Sequence, residues 1–346
     1  MTTTRVMRRA AALTAVAALL AAGCTEDSEP AAKPSAKPST TSPTPTPTPT
    51  PTGPPPHLPL TGRVVAKGEV PKRPALVVKV DNTSSASPQR GLGSADLVVE
   101  ELVEGGQTRL AVFLHSRLPR VIGPVRSQRT SDIGVVKPTH GILVASGAAG
   151  VVERAMRRAN VHVRVEGSPG FSRDYGRPAP YNLMVRPWGV VSRAPKARAP
   201  RKDYLSWAEP DETFPTGRKV RRAQVRFSPA HTTGWRLTVR DRWVRTNGLA
   251  YGDQQFRARN LIVVRVRTRD AGYRDPAGSY VPETVTRGRG RAVLIHQGHA
   301  VKAVWHKRRS WSSFRFTTPN GEPLPVPPGR TWIELAPTDG GGVSLH

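Results

Sequence analysis

The chain contains one cysteine in 346 residues, Cys24. That excludes a disulfide scaffold and the closed zinc sites that need several thiolates. Acidic residues are scarce: 25 Asp and Glu stand against 53 Lys and Arg, a formal net charge of +28. Long apolar runs are also missing. Charged residues make up 23% of the chain and the mean hydropathy is −0.42, which excludes a polytopic membrane protein. Catalytic signatures are absent as well. Gly91-x-Gly93 lacks the third glycine of a dinucleotide fingerprint and has Asp96 in its place. There is no Walker loop and no His-Glu-x-x-His, and Ser146-Gly147 is not a full nucleophile elbow. The nine histidines include no ligand pair on a periodic face.

What is abundant is arginine, proline and glycine. Of the basic residues 42 are Arg, and there are 35 Pro and 31 Gly. The charge is spread along the chain: residues 61–200 carry 22 basic and 10 acidic groups, and residues 201–346 carry 26 and 12. Charge distributed in this way favours long-range attraction to polyanions over a discrete basic arm. An Arg-rich genome composition would produce the same spread.

The first 24 residues read as a lipoprotein signal peptide. Arg5, Arg8 and Arg9 precede the 14-residue stretch Ala10 to Gly23, apolar apart from Thr14. That is shorter than the roughly 20 residues needed to span a bilayer and matches a signal h-region. Leu20-Ala21-Ala22-Gly23-Cys24 resembles a bacterial lipobox, which makes Cys24 the expected lipidation site; Leu20 stands one residue further back than the usual leucine. The expected location is therefore the extracytoplasmic face of the cell membrane, by a lipid anchor. Residues 25–60 read as a disordered Pro/Thr-rich linker, with Thr-Pro repeats from Ser42 to Thr52. Proline removes backbone donors, so a polyproline-II-like spacer is expected, with a contour of roughly 110 Å at about 3.1 Å per residue.

From residue 61 the pattern predicts a globular body in two parts. Pro74 to Val80, Arg109 to His115 and Gly141 to Ser146 read as strands, and Val151 to Asn160 as a helix. Residues 61–200 are thus expected to form an α/β (or α+β) N-terminal domain with a mixed sheet. Residues 218–337 read as a mainly β C-terminal domain. Its short strands include Asn260 to Arg267, and Arg291 to Ile295 and Ala300 to Trp305, which flank a hairpin turn at Gln297-Gly298-His299. The tail at 338–346 is expected to be disordered.

Two stretches are candidates for chemistry. Asp96, Glu100 and Glu104 are spaced by four, which predicts one shared face on a helix or a strand. Three such carboxylates need cations, either a divalent metal or arginines such as Arg109, Arg126 and Arg129. Asp81 and Asn82, in a turn cluster after a strand, join Asp96, Glu100, Glu104 and Arg109 as candidate ligand or catalytic residues. In Gly123-Pro124-Val125-Arg126-Ser127-Gln128-Arg129, the side chains of Arg126, Ser127 and Arg129 form a candidate anion clamp; the competing reading pairs these arginines with the acidic face.

These same residues carry a resemblance. Val78-x-Val80-Asp81-Asn82, Glu100-Glu101-x-Val103-Glu104-Gly105-Gly106-x-Thr108-Arg109 and Ile122-Gly123-Pro124-Val125-Arg126-Ser127-x-Arg129 resemble the YerB-like lipoprotein family, a two-part domain of unknown function. Arg245-Thr246-Asn247-Gly248 and Pro328-Gly329-Arg330-Thr331-Trp332-Ile333-Glu334-Leu335 are similar to its second part. One departure is visible: Ala145-Ser146-Gly147-Ala148 replaces the His and Gly-Gly-Ser turn usual in the family. The resemblance implies a surface lipoprotein and supplies no reaction. The expected function is a binding or scaffold protein for anionic cell-wall polymers or envelope proteins. The alternative is an envelope hydrolase or phosphoryl-type transferase on the Asp96/Glu100/Glu104 face, with Arg126 and Arg129 as its anion clamp. No cofactor is expected beyond the divalent metal of that acidic face. Nucleic acid is not an expected partner, since export removes it and no recognition motif occurs.

Overall fold

The computed structural model describes residues 55–194 and 196–346. The signal segment, Cys24 and the Thr-Pro repeats lie outside the described residues. The strands are β1 (Leu76–Asp81), β2 (Leu97–Leu102), β3 (Thr108–Leu114), β4 (Ile142–Val144), β5 (His162–Arg164), β6 (Phe171–Arg173), β7 (Leu183–Val185), β8 (Arg218–Lys219) and β9 (Arg222–Ser228). They continue with β10 (His231–Leu237), β11 (Trp243–Arg245), β12 (Asn260–Arg274), β13 (Tyr280–Val285), β14 (Gly288–His296), β15 (His299–Lys307), β16 (Arg315–Thr317), β17 (Thr331–Pro337) and β18 (Gly342–Leu345). Three short helices, α1 (Asp132–Val136), α2 (Gly150–Arg158) and α3 (Pro187–Val191), complete the set together with several single turns of 3-10 helix.

The predicted fold class is observed: a mixed sheet with helices in the N-terminal part, and β structure in the C-terminal part. The two parts share a layer, however. A 12-stranded sheet runs in the order β16-β15-β14-β12-β17-β2-β3-β1-β4-β5, with β13 and β8 on side branches. The junction between the parts is the parallel pair β17 and β2. The C-terminal strands therefore do not close into a sandwich of their own. A second antiparallel sheet, β11-β10-β9-β18, covers one face of the large sheet. Val78, Val98, Leu110 and Trp332 of the large sheet pack there with Val225 and Trp235. The opposite face packs Val77, Val99, Ala111 and Phe113 under Val135, Val152 and Met156 of α1 and α2.

This burial on both faces explains why β1 and β3 read as near-continuous apolar runs; every residue of each is buried. The hairpin predicted at Gln297-Gly298 joins β14 to β15, with His296 opposite His299 and positive φ at both turn residues, as a tight hairpin requires.

Two boundaries differ from expectation. The tail is not disordered: β18 pairs with β9, Val343 opposite Val225, and the His346 carbonyl accepts from the backbone N–H of Arg221 and Arg222. The open edge of β9 supplies the partner that the short, Gly-rich tail sequence does not reveal. At the other end, His57 bridges to Val64 and Leu58 and Leu60 are buried. The last residues assigned to the linker thus belong to the folded body, because two leucines there have a core to enter.

Candidate functional site

Strand β2 carries two successive glutamates at the centre of the large sheet. Side chains alternate along a strand, so Glu100 and Glu101 enter opposite faces, and each is buried. Burying a carboxylate is costly unless it is paired, and the surroundings of both are polar for that reason.

Glu100 faces the four-stranded sheet. One carboxylate oxygen accepts from the Thr108 hydroxyl at 2.7 Å, the Thr233 hydroxyl at 2.9 Å and the Asn82 amide at 3.0 Å. His231 Nε2 stands 3.0 Å from the same oxygen. Directly across in β17 lies Glu334, equally buried, which accepts from the Trp235 indole N–H at 2.7 Å. The second oxygen of each glutamate is buried and has no hydrogen-bond donor, and the two residues are register partners across β2 and β17. Burial alone would raise Glu100, but the Arg245 guanidinium and hydrogen bonds from His231 and Thr108 hold it down to about 2. Burial, then the charge of Glu100, push Glu334 well above the usual carboxylate range. The pair shares one proton, held on Glu334, and Glu100 carries the charge.

Glu101 faces α1. Lys79 Nζ lies 2.6 Å from Glu101 and 2.8 Å from Asp132, and all three side chains are at most 1% exposed. Burial raises Glu101 to about 7 against the pull of Lys79, and the charge of Asp132 adds to the rise. For Lys79 burial acts downward, but Asp132 and Glu101 outweigh it and the amine is raised.

The predicted common face of Asp96, Glu100 and Glu104 does not form. β2 spans Leu97–Leu102, so Asp96 precedes it. Glu104 begins a separate turn, where Gly105 has φ +68° and breaks the strand period. Asp96 instead accepts the backbone N–H groups of His115 (2.7 Å) and Ser116 (2.8 Å), together with the Ser116 hydroxyl, and so fixes the chain after β3. Glu104 is paired with Arg109 at 2.6 Å and with Arg129, whose Nε lies 3.0 Å away. Burial would raise Glu104, but Arg109 and Arg129 bring it to about 2. Among the described residues no group of three or more His, Cys, Asp or Glu is placed to hold a metal ion.

The candidate anion clamp is likewise engaged internally. Arg126 Nε lies 2.8 Å from Asp81, and its guanidinium sits over the Tyr181 ring. Arg129 is held by Glu104. The Ser127 carbonyl accepts from Arg109 at 3.2 Å, and its hydroxyl lies 3.2 Å from that of Ser146. Asp81 also accepts from the Thr83 N–H and hydroxyl, both at 2.7 Å. Asn82 joins the Glu100 cluster and accepts from Arg245 at 2.9 Å. The lattice of carboxylates and guanidinium groups is the arrangement these residues adopt. Clefts of about 790, 630 and 540 Å³ open on the surface, the last beside the Glu104 turn, and none is lined by these carboxylates.

The sequence reading overlooked Lys79, Glu101, Asp132, His231, Thr233, Arg245 and Glu334 as members of these clusters. The available signal was a charge inside an apolar strand, as in Val77-Val78-Lys79-Val80 and Trp332-Ile333-Glu334-Leu335. A lone charge in such a run requires a buried partner.

Comparison with known proteins now places the chain. The family description "Protein of unknown function (DUF3048) N-terminal domain" matches residues 60–201, and that of the DUF3048 C-terminal domain matches residues 223–333. The chain belongs to the DUF3048 family. A relative from Bacillus subtilis (strain 168), named "Putative lipoprotein YerB", is 24% identical over 303 residues, covering 81% of this chain and 86% of the relative. The crystal structure of YerB protein from Bacillus subtilis matches with a TM-score of 0.70 at 21% identity, covering 83% of this chain and 99% of that one. In this DUF3048 chain the junction of the two family parts is the β2–β17 pair, and the Glu100–Glu334 carboxyl pair lies on it.

Proposed function

We propose that this protein is an exported lipoprotein, anchored at Cys24 to the outer face of the cell membrane, whose body binds anionic polymers of the envelope through its cationic surface. The observation that carries this reading is the unequal fate of the two signs of charge. From residue 61 onward there are 48 Lys and Arg and 22 Asp and Glu. The acids Asp81, Asp96, Glu100, Glu101, Asp132 and Glu334 are buried, so they present no carboxylate at the surface to an approaching polyanion. Among the described residues eight of those cations make ion pairs, Lys79, Arg90, Arg109, Arg126, Arg129, Arg173, Arg177 and Arg269. Of the rest, Arg245 and Lys307 are buried, and many of the others are exposed, free to meet whatever polyanion lies there. The name of the Bacillus subtilis relative and the lipobox-like segment support the anchor.

Two measurements test this. Cys24→Ser is expected to move the protein from the membrane fraction to the soluble exported fraction; persistence on the membrane refutes the lipid anchor. Binding of the full chain to teichoic-acid-type polymer is expected to weaken steeply as salt rises from about 0.05 to 0.5 M, because the interacting charges are exposed. Binding that is indifferent to salt refutes the electrostatic reading.

A further inference from the structure

The cleft of about 790 Å³ lies between the loop joining β15 to β16, the segment around residues 202–206, and the turn that ends at His140. Its volume is in the range of small-ligand sites, roughly 300–1,000 Å³. Its walls carry Lys202, Arg308, Arg309 and Arg315, all exposed, together with His140 and Trp311. The one carboxylate lining it, Asp203, is engaged by His57 at 2.9 Å. The four long cations therefore have no acid partner among the described residues. The charge around them acts on His140, which burial first, then Lys137, Lys202 and Arg201, push below its ordinary value.

The loop that presents these groups is built into the body. The Ser313 hydroxyl donates to the Asp203 carbonyl at 2.8 Å, Phe314 bridges to Leu205, and Lys307 donates to the Ser312 carbonyl beneath the loop. Trp311 is 52% exposed, and the Arg309 guanidinium stands 5.3 Å from its ring centroid. An exposed indole among unpaired guanidinium groups offers an apolar platform beside anion-binding forks. A sugar ring bearing a charged substituent matches both features at once, its C–H face on the indole and its anion on arginine.

Resting on the proposed polymer binding, we infer that this cleft is the subsite that receives the polymer, and that its ligand is a short stretch of anionic glycan, with phosphate or carboxylate charges on its sugar units. Arg309 and Arg315 grip the charges, and Trp311 stacks on a ring.

The test uses the full chain in detergent at low salt, titrated calorimetrically with a ribitol-phosphate oligomer, oligogalacturonate, neutral maltopentaose and inorganic polyphosphate. Binding of one or both charged glycans and none of maltopentaose is expected, and the better of the two identifies the charge. Arg309→Glu with Arg315→Glu is expected to weaken glycan binding at least about a hundredfold, since each cation contributes a charge-assisted contact. Trp311→Ala is expected to weaken it about tenfold while leaving polyphosphate within twofold. Arg222→Glu with Arg226→Glu, exposed on β9, makes the same change of charge away from the cleft and is expected to leave most of the affinity. Equal losses from the two double variants overturn the cleft assignment and leave diffuse polymer binding standing. An unaffected Trp311→Ala variant overturns the glycan platform. Wild-type protein that binds no charged polymer overturns both readings. Should the glutamate pair fail to fold, Arg309→Gln with Arg315→Gln is held to the same comparison.

Discussion

Replacing Glu334 by glutamine changes one atom in the interior of the sheet, yet it removes a proton that folding has to hold. In the folded protein Glu334 is raised well above its ordinary value of 4.5 by burial and by the neighbouring charge of Glu100. A carboxyl raised in this way contributes its full stability below its unfolded value and loses it as pH rises toward the folded value. Through that window the folded chain keeps a proton that the unfolded chain has released, so stability falls by about 1.4 kcal/mol per pH unit. Glutamine cannot titrate and lacks this slope. It still accepts from the Trp235 indole and donates to Glu100, but its second N–H has no partner, at a cost of about 1–3 kcal/mol.

Two opposing terms therefore set the outcome. At pH 5 the unpaired N–H dominates, and Glu334→Gln is expected to be the weaker protein. As pH rises from 5 the difference moves in favour of the variant, with a limiting slope of about 1.4 kcal/mol per pH unit while Glu334 keeps its proton in the folded chain. Glu101, raised to about 7, titrates in the same window in both proteins and cancels in the difference. The assay is urea unfolding of the full chain at pH 5, 6 and 7, followed by far-ultraviolet circular dichroism and extrapolated to zero denaturant. Parallel stability curves for wild type and variant refute the shared proton. Glu100→Gln is the matched control: it leaves three hydroxyl and amide donors without their anion and is expected to cost about 3–5 kcal/mol at all three pH values.

On the other face of β2, Lys79→Met strands Glu101 and Asp132 without their cation and is expected to cost about 3–5 kcal/mol in the same urea assay; a loss under 1 kcal/mol contradicts a working ion triad. Deleting residues 341–346 removes β18 and opens the edge of β9. A loss of about 2–4 kcal/mol is expected from the several hydrogen bonds given up at about 1 kcal/mol each, and an unchanged melting temperature contradicts it. Gly93→Ala places a methyl group 1.9 Å from the Asp253 carbonyl oxygen; the two loops must part, and a lower melting temperature is expected.

Much of the strand content was legible, because β1, β3 and β17 are apolar runs of strand length and the β14–β15 turn has the chemistry a tight hairpin demands. The layer arrangement was not. Nothing in local pattern indicates that β17 inserts between β12 and β2, or that Glu334 meets Glu100 across most of the chain length. The acidic triplet misled because a spacing of four implies one face only while the element continues, and β2 ends two residues before Glu104. Two of the arginines near that triplet do serve it, Arg109 and Arg129 closing on Glu104, whereas Arg126 closes on Asp81, outside the triplet. The Arg308-Arg309-Ser310-Trp311 loop carried no signal on its own, since basic residues are everywhere in this chain. What distinguishes it is the cleft beside it.

The two kinds of polar cluster imply different roles for charge. Inside, each carboxylate is met by a cation, a shared proton or several donors, and the clusters sit on β2, where the two family parts join. Removing one member leaves another buried and uncompensated, which costs more than the intact cluster contributes. Outside, arginines greatly outnumber the carboxylates that pair with them among the described residues. Here the open cleft beside Trp311 carries the cations, so a search for the function of this protein begins with anions that bear a sugar face.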